Sequence, residues 1–318
     1  MKKFLFLGFV TTAMLASCTN DEMVEMNPQN AIGFEMFVDK STRAATDVTT
    51  DNLTAFEVYG WRGSEQIFNA QAVTADKGAC TYTPLQYWVG GYAYTFEAVA
   101  PKSGNNTSVT FTPSKDVSTI GFESDSETDL IYAAASKDLT STTNLTADPG
   151  KVALTFNHLL SRVKFSFVNG FPADSDVKLT VTDVKITNAG TTAVYTPSTS
   201  AWAAATATDA VTFASTAVAD IAGTVAAETE HKYLIPYEVK DYTLTFTVTM
   251  AQGGVTDTFN HSVNLSSNSL VLQAGNSYDF TATLDANNIN PDGDLFPIEF
   301  TATVTPWEDY SENVVTVQ

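Results

Sequence analysis

The chain has 318 residues, 44% of them hydrophobic, and carries a formal net charge of −20. That apolar share supports a sizeable core and argues against wholesale disorder. So acidic a surface repels phosphate backbones and excludes nucleic acid as a partner.

Met1-Lys2-Lys3 is a basic start, and Phe4 to Ala16 is an apolar run of secretory-signal length, too short to span a bilayer as a helix. It ends in Leu15-Ala16-Ser17-Cys18, which resembles a bacterial lipobox, in which the cysteine thiol is acylated and becomes the first residue. Residues 1–17 are therefore expected to be a lipoprotein signal peptide and Cys18 the lipidation site. Losing Lys2 and Lys3 with that leader takes the charge from −20 to −22. With Cys18 acylated, Cys80 has no cysteine partner within the chain, and packing must hold the fold. Cys80 is read as a small apolar residue rather than a reactive thiol.

Ile32, Phe34, Met36 and Val38 recur every second residue, so an extended chain puts all four on one face. A small, polar segment follows, Ser41-Thr42-Arg43-Ala44-Ala45, with one arginine that a trypsin-like protease could cut. Beyond it the signals keep a period of two. Phe56 to Trp61 opens the body, Tyr92, Tyr94, Phe96 and Ala98 alternate, and Val109 to Thr112 and Leu130 to Ala133 read as short strands. Asp148-Pro149-Gly150 closes a Ser/Thr/Asp-rich loop and marks the best compositional boundary. Val152, Leu154 and Phe156 alternate, His158 to Arg162 interrupts, and Val163, Phe165 and Phe167 resume. The parity change between Val181 and Val184 predicts a bulge near Asp183. Residues 198–230 read as short strands and loops. Tyr242 to Met250, turned by Gln252-Gly253-Gly254 into Val255 to Leu265, predicts a hairpin. Tyr278 to Leu284 and Ile298 to Val304 are the last two long strands. No window carries an amphipathic helix of more than three turns, and the expected class is all-β, two antiparallel sandwich-like domains in series.

The segment Leu154-Thr155-Phe156-Asn157-His158-Leu159-Leu160-Ser161-Arg162-Val163 resembles the Leu-x-Phe-x-His-x-Leu-Ser-[Lys/Arg]-Val core of the Bacteroidetes fimbrillin family. Leu272-Gln273-Ala274-Gly275-Asn276-Ser277-Tyr278, Val304-Thr305-Pro306-Trp307, and Trp88-Val89-Gly90-Gly91-Tyr92 leading to Ala98-Val99-Ala100-Pro101 resemble further marks of that family. The resemblance implies a type V pilin: an outer-membrane lipoprotein precursor with two transthyretin-like β-sandwich domains. Such a precursor is cut by an arginine-specific surface protease and polymerises with other fimbrial subunits by donor-strand exchange. It implies cutting between Arg43 and Ala44, and removal of Ile32, Phe34, Met36 and Val38 as a plug strand. The domains expected on this basis are a propeptide at 18–43, a first sandwich at 44–149 and a second at 150–318. Tyr310, Val314, Val315 and Val317 are the candidate donor strand, in a tail (308–318) that spans about 36 Å if extended. The alternative is a fimbrial tip or lipid-anchored adhesin that binds a host protein or glycan.

Other chemistry finds little support. There is no Gly-x-Ser-x-Gly elbow, phosphate loop or His-Glu-x-x-His, and no enzyme, cofactor or metal is expected. His158 is read as a structural hydrogen-bonder at a strand break and His261 as a half-buried strand histidine. Asn290 to Asp294 could cradle Ca²⁺ but reads equally as an acidic turn. Tyr87, Trp88, Tyr92 and Tyr94 could form a sugar-stacking platform, though core aromatics are the commoner outcome.

Overall fold

The computed structural model describes residues 30–38, 47–101, 108–213, 226–236, 242–265, 270–291, 297–306 and 313–315. The protein is all-β. Its first five strands are β1 (Phe34–Val38), β2 (Ala55–Arg62), β3 (Glu65–Asp76), β4 (Ala79–Thr81) and β5 (Ala93–Ala100). The connection from β3 to β4 is the two residues Lys77-Gly78, both with positive φ (48° and 88°), the geometry that matches strand twist in a tight hairpin. The chain then departs through β6 (Ser108–Thr112) and β7 (Thr119–Glu123) and returns as β8 (Ile131–Asp138) and β9 (Val152–His158). Strands β1-β4-β3-β2-β5-β8-β9 form one closed barrel, because β1 bridges β4 and β9. The loop at Asp148-Pro149-Gly150 thus joins two strands of that barrel.

The remaining strands are β10 (Ser161–Asn169), β11 (Lys178–Thr196), β12 (Ala201–Trp202), β13 (Ala207–Thr212), β14 (Ala226–Glu228), β15 (Lys232–Leu234), β16 (Thr243–Gln252), β17 (Val255–Asn264), β18 (Asn276–Leu284), β19 (Phe300–Pro306) and β20 (Asn313–Val315). One sheet runs β14-β10-β18-β19-β20, with β15 also on β10; the other runs β17-β16-β11-β7-β6, with β12 and β13 on β11. Their inner faces meet in one core, where Phe167 of β10 lies 5.1 Å from Phe246 of β16 between ring centroids. Pairing is antiparallel except at β1–β9 and β10–β18, which are parallel. The bulge appears where the parity changes: register shifts between Thr182 and Lys185, and Asp183 has φ 55°. The β16–β17 hairpin turns at Gly253 and Gly254, both with positive φ.

A third core joins the barrel to these sheets. Tyr59 and Trp61 of β2 and Val99 of β5, on the outer face of the barrel, pack with Phe111, Phe122 and Tyr195. This is why β2 is buried on both faces and not alternately. The His158–Arg162 segment carries the chain across this junction. His158 Nδ1 lies 2.6 Å from Asp129 Oδ2, the Leu159 N–H donates to the Leu130 carbonyl, and the Gly275 N–H donates to the Leu160 carbonyl. Burial pushes the Asp129 carboxyl up from its ordinary pKa, while the hydrogen bond with His158 opposes that shift.

Candidate functional site

The seat of β1 is the most completely built feature of the barrel. Phe34 to Val38 pairs residue by residue with Val152 to Phe156 of β9, and Glu35 stands opposite Ala79 of β4. Hydrogen bonds continue past the strand. The Ile32 N–H donates to the Gln86 carbonyl (2.8 Å), the Trp88 N–H to the Asn30 carbonyl (2.9 Å) and the Val152 N–H to the Gly33 carbonyl (2.8 Å). Side chains fix the register at both ends. The Tyr82 hydroxyl donates to the Ile32 carbonyl at 2.6 Å, and the Val38 N–H donates to Thr50 Oγ1 at 2.8 Å.

The period of two is realised as burial. Ile32, Phe34 and Met36 are at most 1% exposed and Val38 6%, whereas Phe37, on the opposite face, is 48% exposed. The Phe34 ring lies 5.5 Å from Phe68, 5.5 Å from Tyr82 and 5.7 Å from Phe96, in edge-on and tilted arrangements that favour aromatic pairs. Gly60 of β2 makes room for this cluster. A Cβ there would stand 2.9 Å from both Phe68 and Phe96. Glycine in a strand interior is a signal of such close approach, and Tyr59-Gly60-Trp61 could have been read that way from the sequence. Cys80 lies at the rim of this core, half-buried, and burial pushes its thiol up to about 11.

A second cluster pins the chain just after the polar segment that follows β1. The Asp47 carboxylate is buried and ion-paired with Arg162 Nη1 of β10. It also accepts a hydrogen bond from the Tyr233 hydroxyl (3.0 Å), while Asn52 Nδ2 donates to the Asp47 carbonyl (2.6 Å). Arg162 Nε in turn donates to Ser277 Oγ at 2.5 Å. Strands β10 and β15 of one sheet thus meet on the Asp47 carboxylate, and β18 of the same sheet holds the arginine that pairs with it. Asp47 carries no local sequence signal, and only the fold reveals it.

Cys18, Arg43, Ala44, Tyr310 and Val317 lie outside the described residues, as do Asp292 to Asp294. Val314 and Val315 belong to β20, which pairs antiparallel with β19, Val314 opposite Thr303 and Val315 opposite Ala302. The aromatic group divides. Trp88 and Tyr94 are buried with ring centroids 4.7 Å apart, and Tyr92 is exposed with the Arg62 guanidinium 5.5 Å from its ring centroid. His261 is buried in β17 and stacks on Phe246 at 4.9 Å, where burial lowers its pKa. Among the described residues no group of three or more His, Cys, Asp or Glu is placed to hold a metal ion, and no helix is long and apolar enough to cross a membrane.

A sequence profile described as fimbrillin-like matches residues 42–307, most of the chain. The chain belongs to the fimbrillin-like family. This fimbrillin-like chain is 26% identical to the fimbrium subunit Fim1C of Phocaeicola vulgatus over 223 residues, 59% of its own length. The match spans 57% of that relative. Its fold is similar to that of a fimbrial protein from Bacteroides vulgatus, with a TM-score of 0.62 at 17% identity, covering 87% of this chain and 99% of that one. It is also similar to a candidate cell adhesion protein from Bacteroides uniformis, with a TM-score of 0.52 at 18% identity, covering 87% and 99%. At such identities the likeness concerns the fold alone. Family membership makes the chain a structural protein and not an enzyme.

Proposed function

We propose that the chain is the precursor of a cell-surface fimbrial subunit in which β1 is a temporary occupant of the barrel. In this reading the leader directs export, Cys18 carries the lipid that holds the precursor at the outer membrane, and an arginine-specific protease cuts between Arg43 and Ala44. A strand from another subunit then takes the place of β1. The two halves are transthyretin-like sandwich units in series, the barrel being the first with β1 filling its gap. One observation carries the proposal. β1 is paired on both edges and buried on one face, and the polar segment 39–46 leads from it to the rest of the barrel.

The physics favours this order of events. Without β1 the barrel opens, leaving β4 and β9 with unpaired edges beside an apolar groove, which invites uncontrolled association. Filling it with the chain's own strand keeps the precursor from pairing during export. Burial of Ile32, Phe34, Met36 and Val38 at roughly 1.5–3 kcal/mol each gives about 6–12 kcal/mol before ordering costs. A tethered strand cannot be displaced by one of equal affinity, and cutting the tether removes that advantage. Asp47, held by Arg162 and Tyr233, keeps the mature chain docked immediately beyond the cut. The polymer so formed would serve adhesion.

Treating purified precursor with an arginine-specific protease tests this. Cutting after Arg43, followed by SDS-resistant ladders once a second fimbrial subunit supplies its strand, is the expected result, and Arg43→Ala abolishes both. Clean cutting that leaves only monomers even with that second subunit present sinks the reading as a polymerising subunit. It favours the second one, a tip or lipid-anchored adhesin for a host protein or glycan. That alternative draws on the pairing of β20 with its own β19, since a subunit that keeps its tail donates nothing.

A further inference from the structure

We propose that the groove under β1 is selective for a strand unlike the tail of this chain. It takes a strand from a different subunit, with an aromatic ring at the place of Phe34 and uncharged apolar residues at the places of Ile32, Met36 and Val38. This rests on the reading that β1 is replaced by another strand.

The ring site belongs to the barrel and not to β1. Phe68 of β3, Tyr82 beyond β4 and Phe96 of β5 form a cup around Phe34, with Phe68 5.4 Å from Tyr82 and 6.1 Å from Phe96. Gly60 lets the Phe68 and Phe96 rings lie against the backbone of β2, where a Cβ would stand 2.9 Å from both. The strand's backbone is held on both sides of the cup. The Tyr82 hydroxyl holds the carbonyl two residues before the ring, and the Gly78 carbonyl accepts the N–H two residues after it, from Met36 at 3.1 Å. These bonds go to the strand's backbone and accept any sequence, so the side chain set into the cup, and those two residues either side of it, decide which strand fits. The places two residues either side of the ring, now held by Ile32 and Met36, are both fully buried.

Segment 308–318 fails this test in both directions of entry. If Tyr310 fills the cup, Glu308 and Glu312 fall on the places of Ile32 and Met36, whichever way the strand runs. Two carboxylates would then enter an apolar barrel with no partner supplied for them. The other parity offers Asp309, Ser311, Asn313, Val315 and Val317, which brings no ring to the cup at all. A core left without its aromatic side chain retains the cavity, and the affinity falls at least about a hundredfold.

The test is an exchange assay on full-length precursor cut by an arginine-specific protease. Three peptides compete with the cut strand: residues 30–40, the same peptide with Phe34→Ala, and residues 308–318. Release of the cut fragment is read by mass spectrometry. Alkylation of Cys80, whose thiol sits beside the groove, gives an independent measure of occupancy. The 30–40 peptide is expected to exchange. Its Phe34→Ala form should exchange at least about a hundredfold more weakly, and 308–318 should not exchange where 30–40 saturates. Exchange by 308–318 equal to that of 30–40 overturns the selectivity, leaves strand replacement standing, and makes a second copy of this chain the natural partner. Equal exchange by the Phe34→Ala peptide also overturns it. A cut fragment that no peptide displaces, 30–40 included, overturns strand replacement itself and the selectivity with it.

Discussion

β1 and β20 are both short strands at the margins of the described chain, and the fold treats them in opposite ways. β1 lies inside a closed barrel with a neighbour on each edge, five of its residues paired with β9. β20 is the last strand of its sheet among the described residues, where it pairs with β19 over three residues. Withdrawing β1 opens the barrel and uncovers two strand edges. Withdrawing β20 leaves the rest of its sheet in register. An interior strand is therefore held along both edges, whereas an edge strand is held along one.

Two substitutions of similar size break this comparison at its strong end. Phe34→Ala empties the ring site and is expected to destabilise the precursor by about 3–5 kcal/mol, the range for a buried Phe→Ala change. Asp47→Ala withdraws the carboxylate from the buried Arg162 guanidinium, and breaking a buried ion pair in this way also costs about 3–5 kcal/mol. Denaturant midpoints of the precursor should fall for both. Once the cut strand has been stripped away, only Asp47→Ala should still differ from the parent. If its effect disappears with the strand, Asp47 is part of the plug and not an anchor of the mature chain.

What the sequence could reveal follows from how local each feature is. The alternation at Ile32 to Val38 is a statement about one face of one strand, and it survives intact as burial. The bulge at Asp183 and the Gly253-Gly254 turn are equally local, and both are where the parity and the glycines put them. His158 was legible as a hydrogen-bonder at a strand break, because the alternation stops there and resumes at Val163. The closed barrel was not legible. It depends on β1 lying parallel to a strand that begins more than a hundred residues later, at Val152, and nothing in either segment names the other. Nor was the departure of β6 and β7, of which β7 pairs with the far end of β11 and β6 pairs with β7. Ala189-Gly190-Thr191-Thr192 has no large apolar residue to carry the alternation on, yet β11 runs through it to meet β7. Asp47 was invisible for the same reason: its partners Arg162 and Tyr233, and Ser277 that holds Arg162, converge only through the tertiary fold.

The smallest expected effect probes the weak end of the comparison. Deleting residues 313–318 removes β20, whose three register pairs lie on one edge of β19. A net contribution of roughly 0.5–1.5 kcal/mol per hydrogen bond puts the backbone pairing lost with β20 at about 1–3 kcal/mol. The denaturant midpoint of the monomer should therefore move less than it does for Phe34→Ala. In the ladder assay the same deletion has a different reach. If the tail is donated to a neighbouring subunit, its loss stops polymer growth while leaving the groove open to the 30–40 peptide. A deletion that unfolds the monomer as thoroughly as emptying the ring site would make β20 a structural member of its own sheet. The asymmetry between the two strands would then fail, and with it the case for a detachable tail.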